Sequence, residues 1–463
     1  MIRSSGASKP RAASIARTRS GSSRMRSSGR TASVSGSPTM PAMSAEISEV
    51  VLIGFEGPDR YSFVGGLATR MNDLAEALIA RGHRVRHLFV GDPTLPATEL
   101  RNDGTLLLER WGQWISRYHP KDVYDGEDGK WRDFGRTVPP HLLDEVVVPA
   151  ARQGKRAVLL FEDWQTANAA INTTVLAQRA GLRDAITPFW NANNTYGFGS
   201  IDFPLLGRSA TITTISRFMR AEMVKSGVEP EILPNGIATR FAEPVPQAHV
   251  RAMRAGLAGR PSLVKVARFD ADKRWLWAID AVAHLRDIGA RPRFMMRGSR
   301  NEYADVVGAR IREQGLTVER VALDANAAPR DLAAALQQVQ ADVAFLDFFV
   351  SEPALRALYA AADGVLANSE KEPFGLVGLE VMGAGGVAFV GRTGEDYAIP
   401  YGNSVVVQSD DPRELLTHLA ALRSRPELGK RIRADGRSTA RRYVWPRMLD
   451  AMEASWEAAA WLG

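Results

Sequence analysis

Glu372 and Glu380 are two carboxylates with seven residues between them, in the run Glu372-Pro373-Phe374-Gly375-Leu376-Val377-Gly378-Leu379-Glu380. Pro373 and Gly375 punctuate a loop, Leu376 to Ala384 can form a short helix, and Gly385-Gly386 can end it before a strand at 387–390. The spacing therefore predicts Glu372 in the loop and Glu380 one turn into the helix. A helix start presents unpaired N–H groups and the positive end of a dipole, which is a seat for a phosphate. Carboxylates beside it are free to accept hydrogen bonds from sugar hydroxyls. The combination suits a nucleotide-sugar; the plain alternative is two solvated glutamates on a helix surface.

Such groups need a scaffold, and the chain supplies a repeating one. From residue 49 the pattern is strand (Glu49 to Gly54), Gly-rich turn (Ser62-Phe63-Val64-Gly65-Gly66-Leu67), helix (Ala68 to Arg81) and strand (Arg84 to Val90), which reads as a βαβ unit. The glycines are not the G-x-G-x-x-G fingerprint and no acidic residue caps a matching second strand, which argues against a nicotinamide enzyme. Further strands are expected at 157–161, 185–190, 210–215 and 232–234, and a second alternating set begins with Ser262 to Ala267. Alternation of this kind gives a parallel sheet covered by helices on both faces. Past the first strand of the second set stand Arg268 and Lys273. Ligands bind at the carboxyl ends of strands in such sheets, so the two would converge on a diphosphate there, Arg as a bidentate fork and Lys as a point charge. Taken as an isolated pair, they read as solvated basic residues.

At 463 residues and 45% apolar content the chain can bury two cores. It has no cysteine, which excludes disulfides, thiolate metal sites and a thiol nucleophile, and its apolar runs are far shorter than the ~18 residues that span a bilayer. A metal-independent, cytoplasmic protein is expected. The formal charge is +7, yet residues 1–45 hold Lys9 and seven arginines and no acid, so the remainder is close to neutral. That segment is Ser/Gly/Arg-rich and cannot bury enough surface to offset its chain entropy, so disorder is expected. A nucleic-acid or anionic-membrane arm, a targeting peptide, and translation upstream of a true start at Met40 or Met43 are the open readings.

The run Glu-Pro-Phe-Gly-Leu-x3-Glu resembles the signature of the family 4 retaining glycosyltransferases. Gly65-Gly66-Leu67 with the following helix and Gly82-His83 is similar to the first βαβ unit of that family, Pro234-Asn235-Gly236-Ile237 to the end of its first domain, and Arg268 and Lys273 to its phosphate-binding pair. The resemblance covers roughly residues 49–450. It implies a GT-B fold: two Rossmann-like doubly wound domains facing a cleft. Residues 1–45 would be the tail, 46–243 the acceptor-side domain, 244–435 the nucleotide-sugar domain, and 436–463 a helix crossing back to the first domain. It also implies roles. Arg268 and Lys273 would stabilise the departing diphosphate, Glu372 would contact the transferred sugar, Glu380 the ribose, and the N–H groups of Gly375, Leu376 and Val377 the phosphate, with the Gly65-Gly66 loop reaching towards the donor; a tight turn is the alternative for Gly65-Gly66. No protein nucleophile and no cofactor beyond the donor are implied.

The chain departs from the starch and glycogen synthase-like relatives at Glu162-Asp163-Trp164-Gln165-Thr166-Ala167, where Glu162 and Gln165 replace histidines, and in the loop after Trp190. Asp163, Gln165, Asn191 and Asn194 are the candidates to orient an acceptor, although packing and turn formation also account for them. Trp111, Trp114, Tyr118, His119, Tyr124, Trp131 and Phe134 form an aromatic-rich insertion, to stack on sugars or to fill a local core. The expected activity is transfer of a hexose from a nucleotide-diphosphate sugar to a carbohydrate or other hydroxyl acceptor. A non-catalytic nucleotide-sugar-binding protein is the alternative. No nucleic acid is expected on the folded body, and peripheral membrane contact is left open.

Overall fold

The computed structural model describes residues 45–298, 301–393 and 395–462. The basic segment, and with it the question of the start at Met40 or Met43, lies outside these residues but for Ala45.

Two sheets are present among the described residues. The first contains β1 (Ile47–Ile53), β2 (Val85–Val90), β3 (Thr98–Arg101), β4 (Leu106–Trp111), β5 (Arg156–Glu162), β6 (Ile186–Ala192), β7 (Thr211–Thr214) and β8 (Glu231–Ile232), in the order β3-β4-β2-β1-β5-β6-β7-β8. The second contains β9 (Ser262–Val266), β10 (Arg293–Arg297), β11 (Val318–Val321), β12 (Val343–Leu346), β13 (Gly364–Ala367), β14 (Ala388–Val390) and β15 (Val405–Val406), in the order β11-β12-β10-β9-β13-β14-β15. Pairing is parallel throughout except between β3 and β4. The central strands are continuous apolar runs because helices cover both of their faces: Val50, Val51, Leu52 and Ile53 are all fully buried. The antiparallel β3 was not foreseen. It is a short edge strand, Thr98-Glu99-Leu100-Arg101, whose one apolar residue, Leu100, is exposed, so it carries no alternating apolar signal.

Helix α1 (Gly66–Arg81) buries Ala68, Met71, Leu74, Ala75 and Leu78, the i, i+3, i+4 stripe of a helix laid on a sheet, and ends at Gly82 with φ 100°. The other helices that concern the site are α2 (Glu127–Leu142), α3 (Ala167–Arg179), α4 (Trp275–Asp287), α5 (Glu352–Ala361), α6 (Leu376–Ala384) and α7 (Trp445–Leu462). Although it follows the second sheet in sequence, α7 packs on the first: Trp445, Leu449, Met452 and Trp456 share a core with Leu74, Leu78, Leu160 and Phe189. The backbone of Gly236 lies flat on Trp445, where a Cβ would come 2.6 Å from the indole, so the Pro-Asn-Gly segment requires glycine for close approach.

Candidate active site

On the second sheet, β9 and β13 are neighbours, and the segments leaving their carboxyl ends carry the charged groups. Arg268 is exposed, and its carbonyl accepts a bond of 2.8 Å from Trp275 at the start of α4. The Lys273 ammonium lies 3.1 Å from Glu372 Oε2 and 3.2 Å from Asp272 Oδ2. Burial works against charge on Lys273, but these two carboxylates outweigh it and its pKa is raised. The Glu372 N–H donates to Thr393 Oγ1 at 3.1 Å, which fixes the loop before α6.

The start of α6 is built by Gly375, whose φ of 85° is the left-handed region and which carries no side chain to cap the helix. Its carbonyl accepts a bond from the Tyr397 hydroxyl, and the rings of Phe374, Tyr397 and Tyr443 meet at centroid distances of 5.9–6.2 Å. Aromatic packing thus holds a helix start whose first N–H groups, those of Leu376 and Val377, have no side-chain cap. Glu380 lies one turn further on. Burial, then Asp73 and Glu352, push its carboxyl up to about 7, against the opposing pull of Arg240.

On the first sheet, the carboxyl ends of β1, β5 and β6 hold a buried polar network. Sequence reasoning missed its first member. Glu56 accepts from the N–H groups of Gly65 (3.0 Å) and Ala68 (2.9 Å) and from the Tyr124 hydroxyl (2.6 Å), and so caps α1. Its position just past the end of β1 is the signal that could have found it. Neither Gly65 nor Gly66 takes a left-handed φ, and a Cβ on Gly66 would meet nothing within 4 Å, so a tight turn does not account for the glycines.

Glu162, at a position where relatives carry histidine, is buried against Arg70 at 3.0 Å and accepts from Asn191 Nδ2 (2.8 Å) and Asn193 Nδ2 (2.6 Å). Arg70 also donates to Asn235 of the Pro-Asn-Gly segment. Asp163 has φ 63°, a strained position for a side-chain-bearing residue, and its carboxylate accepts from Asn193 N–H (2.7 Å) and Asn194 Nδ2 (2.8 Å). Burial pushes Asp163 up to about 7, the Asn193 N–H opposing and Glu162 and Glu56 adding to the rise. The structure thus brings Asp163, Asn191 and Asn194 into one network, whereas Gln165 donates to Glu127 of α2 at 2.8 Å. The aromatic insertion divides: Phe134 is fully buried and Trp131 packs against Trp164 with ring centroids 5.3 Å apart and planes tilted by 53°, while Trp114 and Tyr118 are exposed.

Residues 260–425 match the family described as glycosyl transferases group 1. Over 436 residues the chain is 24% identical to a GDP-mannose-dependent alpha-(1-6)-phosphatidylinositol dimannoside mannosyltransferase from Mycobacterium tuberculosis, covering 89% of this chain and 96% of that protein. Among solved structures it is similar to the catalytic domain of starch synthase IV from Arabidopsis thaliana, bound to ADP and acarbose, with a TM-score of 0.64 at 16% identity (90% of this chain and 100% of that one). It is also similar to sucrose-phosphate synthase from Thermosynechococcus elongatus, with a TM-score of 0.58 at 16% identity (89% and 98%). The two sheets and these neighbours agree on a two-domain GT-B fold, and the segment that holds Glu372 and Glu380 is similar to the group 1 glycosyl transferases.

Proposed function

We propose that the protein transfers a hexose, with retention of configuration, from a nucleotide-diphosphate sugar to an acceptor hydroxyl. The observation that carries this reading is the Lys273–Glu372 pair at 3.1 Å, just ahead of the uncapped start of α6. In this reading the N–H groups of Gly375, Leu376 and Val377 hold the diphosphate, Glu372 accepts from sugar hydroxyls and Glu380 from the ribose. As the glycosidic bond breaks, negative charge grows on the departing diphosphate, so cations held there stabilise the transition state more than the ground state. The phosphate itself then takes the proton of the attacking hydroxyl on the same face, and no protein nucleophile or added cofactor takes part. Gly65 and Gly66 would face the donor from the opposite sheet. There Glu56 already occupies the N–H groups of Gly65 and Ala68, so the part of the glycines is to admit a close ligand rather than to bind its charge. Asp163, Asn191 and Asn194 would shape the acceptor floor, with Gln165 at its edge.

The acceptor side also favours an anionic phospholipid surface as the place of work. Helices α2 and α3 flank a groove of roughly 560 Å³ whose lining includes Trp131, Pro139, Val175 and Leu176 together with Arg132, Arg136 and Arg179. Trp131 in its lining packs against Trp164, the residue that follows Asp163. Arginines beside apolar side chains complement anionic headgroups, although Arg132 and Arg136 also pair with Asp128 and Asp133.

Nucleoside-diphosphate release from GDP-, UDP- and ADP-sugars, GDP-mannose first, tests the assignment. One donor should turn over, and Arg268→Ala or Glu372→Ala should lower kcat by about 10²-fold or more. Saturable binding without release in any acceptor mixture would favour the non-catalytic binder, for which the replaced histidines speak. Absence of binding would end the nucleotide-sugar reading. Flotation with phosphatidylglycerol vesicles should carry the protein up, and the R132E/R136E/R179E variant should stay behind; no flotation of the unaltered chain rejects the membrane surface.

A further inference from the structure

One buried cation has no part in this chemistry. Lys265 is 1% exposed and is the last but one residue of β9, between Val264, which is fully buried, and Val266. Its register partner on β10 is the apolar Met296. An ammonium in such a place is costly unless its donors are satisfied. Its Nζ donates to the Leu366 carbonyl of β13 at 3.1 Å and to Asn368 Oδ1 at 2.8 Å, and lies 5.4 Å from the centroid of the Trp275 ring. Asn368 is the first residue past β13 and opens the loop that carries Glu372 and ends at Gly375. It is itself fully buried, and its Nδ2 finds no partner among the described residues, so the lysine is what orients that amide. Among the described residues, no carboxylate bonds the ammonium directly. Lys273 and Arg274 oppose its charge, Glu372 and Asp272 favour it, and burial is the largest influence, lowering its pKa to about 7. A leucine or methionine would fill the space without that cost; what lysine adds is a directed hold on the first residue of the loop.

We propose that Lys265 is a positioning residue for the donor seat: through Asn368 and the Leu366 carbonyl it fixes where the loop 368–375 leaves the sheet, and so where Glu372 and the start of α6 stand relative to Arg268 and Lys273. The inference rests on the nucleotide-sugar reading of that seat. A diphosphate bound beside Lys273 and Arg274 offsets their repulsion of the Lys265 proton, so binding near neutral pH draws a proton onto Lys265.

Two measurements on the full chain test this, for the unaltered protein and for Lys265→Met and Asn368→Ala. Hydrogen exchange should show the amides of 370–376 opening faster in both variants while β10 and β12 stay protected. Titration calorimetry with GDP, UDP and ADP, in two buffers of different ionisation enthalpy at pH 7.5, should show proton uptake by the unaltered chain. Lys265→Met should lose that uptake and bind about tenfold more weakly, the scale of one charge-assisted hydrogen bond. Unchanged exchange in the loop together with unchanged affinity and uptake overturns the proposal. If the unaltered chain binds none of the three nucleotides, the nucleotide-sugar reading fails, and the exchange data alone decide whether Lys265 holds the loop. Should Lys265→Met not fold, Asn368→Ala, which leaves the lysine in place, carries the same expectations for exchange and affinity.

Discussion

At Glu380 burial and two neighbouring carboxylates act on one proton. Its carboxyl is pushed up to about 7, first by burial and then by Asp73 and Glu352. The folded state therefore holds a proton that the unfolded chain has released, and the sign follows: the contribution to stability is fully present below pH ~4.5 and is lost as pH rises through about 7. A shift of this size corresponds to a free energy on the order of 3 kcal/mol. Glu380→Gln removes the penalty, so the variant should unfold at the same temperature as the unaltered protein near pH 4.5 and at a higher one at pH 8. If Glu380 receives the ribose, the stabilised variant should also bind nucleotide about tenfold more weakly, the opposite movement of stability and binding expected of a carboxyl retained for use. Thermal unfolding at the two pH values, with nucleotide titration alongside, checks it; parallel stability curves would remove the burial argument, and unchanged affinity the ribose role. Asp163 titrates in the same window, and the difference between variant and unaltered protein isolates Glu380.

The elements that were legible are those whose signals are local. Helix α6 runs over the residues that the motif predicts because Gly375 and Gly385 both take left-handed φ at its two ends, a requirement readable from residue type alone. The βαβ unit of β1, α1 and β2 was legible for the same reason, an apolar run, an amphipathic stripe and Gly82. What was not legible depends on contacts between distant segments. Glu56 caps α1 from ten residues upstream, Asn193 binds carboxylates on the neighbouring strand, and Lys265 reads in sequence only as an interruption of an apolar strand. A consequence at this scale concerns Gly375→Ala. A Cβ there would face Glu395 Cγ at 2.7 Å and the Tyr397 hydroxyl at 2.9 Å, on a backbone with φ 85°. The variant should lose ~1–3 kcal/mol of stability. If the helix start seats the diphosphate, the KM for the donor should rise while the acceptor KM is unchanged. Tyr397→Phe, which only withdraws the bond to the Gly375 carbonyl, should cost ~1 kcal/mol and move donor KM in the same direction. Equal shifts in both KM values would place the effect on the fold as a whole.

At the scale of the molecule, α7 makes the last part of the chain a component of the first sheet's core. Trp456 is fully buried there, and its Nε1 has no partner, so its contribution is packing alone. Around it, Arg81 pairs with Asp450 at 2.7 Å and His83 with Glu453 at 3.0 Å, but these pairs are at least partly exposed and contribute little beside the core. Trp456→Ala should therefore cost ~3–5 kcal/mol, seen as a lower midpoint in denaturant, whereas Asp450→Ala should stay within about 1 kcal/mol. The two halves of the site should respond differently. Arg268, Lys273 and Glu372 stand on the second sheet, away from the defect, so nucleoside-diphosphate affinity should hold within about twofold in conditions where the variant is folded, while transfer falls because α1 and the Glu56 network lose their support. Loss of nucleotide affinity in step with transfer would mean that the donor seat is completed by the first sheet, and that Gly65-Gly66 and not the second sheet alone sets donor binding.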